Sequence, residues 1–165
     1  MVKMIQRTLV LLKPDAVKRG LIGRIIQRFE DAGLKIVACK MVWVSKEHAA
    51  KHYYDLGKRR GEHVKEKMVD FLTQGPILVL VLEGIEAVDV VRKMVGSTEP
   101  KTAQPGTIRG DFAHLSFMHA DTKGKAVPNL IHASGKVKEA KQEIKLWFRD
   151  KEIHSYKTVH EEFVF

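Results

Sequence analysis

The chain has a single cysteine, Cys39, so no intramolecular disulfide can staple it. It has no long apolar run either: stretches such as Pro76 to Leu82 fall well short of the roughly 20 residues that a membrane-spanning helix needs. The N-terminal residues show no secretory pattern. These absences predict a soluble protein with no membrane partner, at home in a reducing cytoplasm. Internal repeats and low-complexity segments are missing as well. So are the phosphate loop G-x-x-x-x-G-K-[ST] and the protein-kinase motif set, which argues against direct-transfer kinases of those classes. The aromatic motif of RNA-binding modules is also lacking.

What is present is 165 residues, 44% of them apolar, enough to cover the core of one domain spanning 1–165. Lys and Arg number 29 against 20 Asp and Glu, a net charge of +9. Such an excess attracts nucleic acid, acidic protein and nucleotide phosphate alike, and a solvated basic surface explains it equally well. Function must therefore be read from particular residues.

Thr8 to Leu12 is a compact apolar run that ends at Lys13-Pro14-Asp15, as a central strand meeting a turn does. Ile22, Ile25, Ile26 and Phe29 share one helical face, and Gly33 follows as a stop. Leu34 to Val44 predicts a strand, Ser45 caps a helix reaching about Leu56, and Gly57 to Glu62 predicts a charged loop. Val64, Met68, Phe71 and Leu72 line the next helix, which Gly75-Pro76 ends before the strand Ile77 to Leu82. Val88, Val91, Met94 and Val95 mark another helix, closed by Gly96. Ser97 to Gly110 has no apolar periodicity and predicts a functional loop. Phe112 to Met118 predicts a last short strand, and Val137, Ala140, Ile144, Trp147 and Phe148 a final helix. This order contains a split βαβ pattern, so the expected fold is α/β (α+β): a ferredoxin-like antiparallel sheet covered by helices in a single domain. Enzymes, metal-binding domains and RNA-binding modules all use that architecture.

Asn129-Leu130-Ile131-His132-Ala133-Ser134 ends a loop before the last helix, which predicts His132 near the positive end of that helix, where a phosphorylated imidazole is stabilised. A lone histidine is more often structural, and the case for catalysis rests on its neighbours. Glu143, nine residues beyond Ser134, can turn back to hold one imidazole nitrogen while the other attacks phosphorus; an ordinary solvated glutamate is the alternative. Lys13 leaves the first strand, and Arg92 and Arg109 flank the irregular loop, so three cations distant in sequence can converge on phosphate. Each alone reads as a surface residue. Thr98 and Asn129 add uncharged donors. His48 and His52, one helical turn apart, offer at most half a metal site and read rather as an exposed helix face.

With Lys13-Pro14-Asp15 and Gly106-Thr107-Ile108-Arg109-Gly110-Asp111, the histidine segment resembles nucleoside diphosphate kinases along nearly the whole chain. The resemblance implies a ping-pong reaction, in which a nucleoside triphosphate gives its γ-phosphate to His132 and a nucleoside diphosphate collects it. It also implies Mg²⁺ carried on the nucleotide phosphates, with no metal ligand from the protein. Matched by position, Lys13, Arg92, Thr98 and Arg109 contact phosphate, Asn129 contacts sugar and phosphate, and Glu143 orients the histidine. Tyr53 and Ser134 match supporting residues. The implied assembly is a homo-oligomer, a hexamer by preference or else a tetramer, with nucleic acid at most a weak secondary ligand.

Three departures stand out. The stretch Arg59 to Met68 has no aromatic residue where the family stacks one on the base, which leaves Val64, or His63, with Met68 as a weaker apolar clamp and predicts broad base tolerance. Gly135 replaces a usual acidic residue, with Lys136, Lys138 and Lys141 following, which predicts less negative charge near the nucleophile. An insertion from His114 to Val127 bears either on subunit packing or on the mouth of the site.

Overall fold

The computed structural model describes residues 4–159 and 161–164. Its strands are β1 (Ile5–Leu12), β2 (Lys35–Val42), β3 (Ile77–Ile85) and β4 (Ile131–Ala133), joined in one antiparallel sheet of order β2-β3-β1-β4. After β1 come α1 (Pro14–Lys18) and α2 (Ile22–Asp31), and after β2 come α3 (Lys46–His52), α4 (Leu56–Arg60) and α5 (Glu62–Leu72). Then β3 leads into α6 (Ala87–Val95), α7 (Ile108–Phe112) and α8 (Phe117–Thr122), while α9 (Val137–Trp147) and α10 (Glu161–Val164) follow β4. This is the ferredoxin-like sheet expected from the element order, with additions.

The period of two along a strand sorts β1 and β3 between two apolar layers. Val10, Leu12, Leu78, Leu80 and Leu82 pack with Ile25 and Phe29 of α2 and with Val91 and Val95 of α6. Leu9, Leu11, Ile77, Val79 and Val81 pack on the other side with Ala49 of α3, Val69 and Leu72 of α5, and Ile144 and Trp147 of α9. Because both faces are covered, these strands are unbroken apolar runs rather than alternating ones. Truncating a fully buried leucine such as Leu80 is expected to cost about 2–5 kcal/mol.

The structure departs from the sequence expectations in three places. Phe112 to Met118 is not a strand: Phe112 ends α7, and Phe117 opens α8, where Ser116 caps by accepting the His119 amide at 3.1 Å. The fourth strand is Ile131–Ala133 and contains His132, which therefore stands in the sheet and not at the end of the last helix. A three-residue strand is too short to show any periodicity. Most of the expected loop Gly57 to Glu62 is helical, as α4 and the start of α5, with Gly61 between them at φ 96°.

Candidate active site

Residues paired across antiparallel strands project to the same face. His132 pairs with Leu11, so its ring enters the layer that holds α3 and α9. Just before β4, Leu130 is fully buried with φ of 72°, a left-handed conformation that leucine rarely adopts and that costs about 1–3 kcal/mol. The turn after β1 holds it there. The Lys13 amide donates to the Leu130 carbonyl at 2.8 Å, and the Leu130 amide donates to Asp15 Oδ2 at 3.0 Å. Lys13-Pro14-Asp15 and Asn129-Leu130 thus form one interlocked unit that sets where β4 begins.

Around His132 the contacts are specific. Glu143 Oε1 lies 2.8 Å from Nε2, and Ser134 Oγ donates to Glu143 Oε2 at 2.5 Å while accepting the Leu9 amide at 3.2 Å. With Nε2 engaged, Nδ1 is the nitrogen left for chemistry. Burial, reinforced by Lys13, Arg109 and Arg92 and opposed by Glu139, pushes the His132 imidazole down to about 3. The ring is therefore neutral and holds a lone pair at any ordinary pH. Burial raises the carboxyl of Glu143, and burial together with Glu143 raises the phenol of Tyr53.

The cations converge as the sequence spacing suggested. Lys13 is buried and its Nζ donates to Asn129 Oδ1 at 2.7 Å, while Asn129 Nδ2 donates to the Thr98 carbonyl at 2.8 Å. Burial, aided by the nearby Arg109 guanidinium, lowers the Lys13 ammonium to about 7. Arg109 spends three donors on carbonyls, those of Asn129 at 3.1 Å, Gly96 at 3.0 Å and Ile131 at 2.5 Å. Two of its five donors remain. Burial and Arg92 lower it to about 10, which leaves it charged at neutral pH. Arg92 and Thr98 are exposed on the rim.

The Gly106-to-Asp111 segment is the device that aims Arg109. Thr107 caps α7 by accepting the Gly110 amide at 3.0 Å, and its hydroxyl donates to the Gln104 carbonyl at 2.6 Å. Asp111 accepts the Gly106 amide at 2.7 Å and pairs with Arg28 of α2 at 2.8 Å. The fold of this turn leaves no room beside Gly110, where a Cβ would strike the Gln104 carbonyl oxygen.

Lys13, Tyr53, Val64, Met68, Arg92, Thr98, Arg109, Asn129, His132 and Glu143 all line one open cleft of about 1510 Å³. Ser134, fully buried, stands behind its wall.

Several features were not legible in the sequence. His52 is buried rather than on an exposed face: Trp147 Nε1 donates to its Nδ1 at 3.2 Å, and its ring meets that of His132 edge-on at 4.5 Å. The spacing of Ala49, His52 and Tyr53, one buried helical stripe, was the available signal. His48 packs edge-on against Trp147 at 4.4 Å. The charge expected to be lost at Gly135 is supplied by Glu139, whose Oε2 accepts the Gly135 amide at 2.9 Å and whose carboxylate acts on His132. In the segment His114 to Val127, Phe117, Ala120 and Asp121 of α8 line the cleft.

Known proteins share this sequence and fold. Residues 6–153 match the sequence profile of the family described as nucleoside diphosphate kinase. The nucleoside diphosphate kinase of Borreliella burgdorferi is 47% identical over 156 residues, 93% of each chain, and that of Pyrococcus abyssi is 52% identical over 151 residues, 92% of this chain and 89% of the other. Among solved structures, a transition-state mimic of the Borrelia burgdorferi enzyme with bound vanadate and ADP superposes with a TM-score of 0.95 at 46% identity, covering 98% of this chain and 97% of that one. A halophilic nucleoside diphosphate kinase from Halobacterium salinarum in complex with CDP gives 0.83 at 36% identity, covering 97% of this chain and 98% of the other. Profile, relatives and superposition agree: the chain belongs to the nucleoside diphosphate kinase family of enzymes.

Proposed function

We propose that the chain carries the γ-phosphate of a nucleoside triphosphate to a nucleoside diphosphate through a phosphohistidine on His132. The observation that supports this most is the His132 ring held at Nε2 by Glu143 at 2.8 Å, with Nδ1 left free in a cleft shared with Lys13, Arg92 and Arg109.

In the first half-reaction the Nδ1 lone pair attacks the γ-phosphorus. The N–P bond forms as the bond to the bridging oxygen breaks, and the nucleoside diphosphate leaves with that electron pair. Glu143, anchored by Ser134, accepts the Nε2 proton's hydrogen bond and offsets the positive charge that grows on the ring. In the second half-reaction a terminal oxygen of another nucleoside diphosphate attacks the same phosphorus and releases Nδ1. Lys13, Arg92 and Arg109 bind the phosphate oxygens, Thr98 adds a hydroxyl at the rim, Asn129 ties Lys13 to Thr98 and faces the sugar, and the Tyr53 hydroxyl supports the site. Val64 and Met68 flank the base.

Mg²⁺ would accompany the nucleotide in this reading and would supply neutralisation of the phosphate charge. It prefers oxygen donors, so the cluster of His52, His132 and Glu143, whose ligand atoms lie within 4.8 Å of one another, suits it poorly. The reading also takes 1–165 as one kinase domain in the cytoplasm, assembled as a hexamer or a tetramer. β2 is an edge strand whose Ile36 and Val37 carbonyls are taken by Tyr156 and His154, while Met41 and Trp43 farther along are exposed, and that exposed end supports contact with another copy.

The test is to incubate the protein with γ-labelled ATP and Mg²⁺ and then add a second nucleoside diphosphate. Acid-labile, base-stable label that passes to the acceptor is expected. In His132→Ala both label and transfer are lost, with turnover down at least about 10⁴-fold. Near-normal turnover in that variant would sink the mechanism.

A further inference from the structure

The stretch Arg59 to Met68 has no aromatic residue, yet the cleft does have one at the same level, on another element. Phe117 begins α8, is 38% exposed, and lines the cleft. Two observations orient it. Phe117 and Asp121 are four residues apart on one face of α8, and both border the cleft with Ala120 between them. On α5, Val64, Lys67 and Met68 share a face in the same way and border the same cleft. Lys67 Nζ lies 3.9 Å from Asp121 Oδ1, so these two faces approach each other across the mouth. The start of α8 is also anchored: Glu99 Oε1 accepts the Phe117 amide at 2.9 Å, and the Leu115 carbonyl accepts the Lys101 amide at 3.1 Å.

A slot with a flat aromatic ring on one wall and a valine and a flexible methionine on the other fits a planar heteroaromatic ring. We infer that Phe117 of α8 is the stacking residue for the nucleobase, closing on it against Val64 and Met68 of α5. This rests on the nucleotide reading above and adds to it the residue that grips the base. Stacking on a benzene ring accepts every base, because each has a π-face, so the slot gives affinity with little discrimination.

The test is calorimetric binding of ADP and of inorganic pyrophosphate to wild type, Phe117→Ala, Phe117→Trp and Met118→Ala. Met118 is 73% exposed on the same helix and controls for loss of apolar surface there. In Phe117→Ala, ADP is expected to bind about tenfold more weakly, within the range of base–aromatic stacking, while pyrophosphate affinity stays within about twofold. Phe117→Trp is expected to restore ADP binding and to keep the loss of adenine absorbance that stacking produces. Met118→Ala is expected to bind both ligands as wild type does. Equal ADP affinity in wild type and Phe117→Ala would overturn the clamp and leave the nucleotide reading intact, as would equal weakening of ADP and pyrophosphate. A wild type that binds pyrophosphate but no nucleotide would overturn both.

Discussion

At the scale of single residues, the proposed chemistry depends on keeping one imidazole neutral and one ammonium poised. Changing Glu143 to Gln removes the charge that offsets the ring and lets the side chain present the wrong hydrogen-bonding group to Nε2. Turnover is expected to fall roughly ten- to a hundredfold, measured as kcat under saturating nucleotide. An unchanged kcat would mean that the 2.8 Å contact does not act on the histidine. Lys13 and His132 shape the pH profile. Lys13 is lowered to about 7, so in the free protein its charge is present below that pH and lost as pH rises through it. Nucleotide phosphate restores the charge on binding, so kcat/KM is expected to fall between about pH 7 and 9 while kcat falls less. His132, pushed down to about 3, is expected to give no acid limb near 6.5. A kcat/KM that is flat above pH 7 would contradict the position of Lys13.

At the scale of elements, two turns do the positioning. One is the Lys13-Pro14-Asp15 turn that clamps Leu130 in its left-handed conformation; the other is the tight entry to α7 that aims Arg109. Gly110→Ala tests the second. With a Cβ against the Gln104 carbonyl, the turn must open, and a loss of about 1–3 kcal/mol in urea unfolding is expected, with a parallel rise in the nucleotide KM as Arg109 shifts. An unaltered unfolding midpoint would show that the turn opens without cost. The long helices were legible because each repeats its apolar spacing several times, and the three long strands because each is a sustained strand-like apolar stretch. Ile22, Ile25, Ile26 and Phe29, for example, announce α2. β4 and α8 were not, because three and six residues repeat nothing, and the apolar content of Phe112 to Met118 serves a helix end and a helix start instead of a strand.

At the scale of the whole molecule, a net charge of +9 surrounds a cleft edged by Arg59, Arg60, Lys125, Lys136 and Lys138. Polyphosphate is drawn toward such a field and released from it by salt. The nucleotide KM is expected to rise at least about twofold between low and roughly 0.2 M ionic strength, because the Debye length there is about 8 Å or less. A constant KM would show that Glu139 and Asp121, both at the cleft, cancel the basic rim. Any nucleic acid attracted by the same field is expected to be stripped off by salt.

The sequence alone determined the two-sided apolar strands of the sheet and the inventory of the site. It offered a histidine, a carboxylate, three cations and two glycine-rich or proline-led turns, since residue types and short spacings are local properties. Only the tertiary structure decided which face of the sheet His132 occupies, that Glu143 reaches Nε2, that His52 is buried beside His132, and that Phe117 lines the cleft. Those facts depend on pairings between distant segments. Leu11 must lie beside His132 and Lys13 beside Asn129, and such registers are set by the packing of both apolar layers at once, which no local spacing encodes.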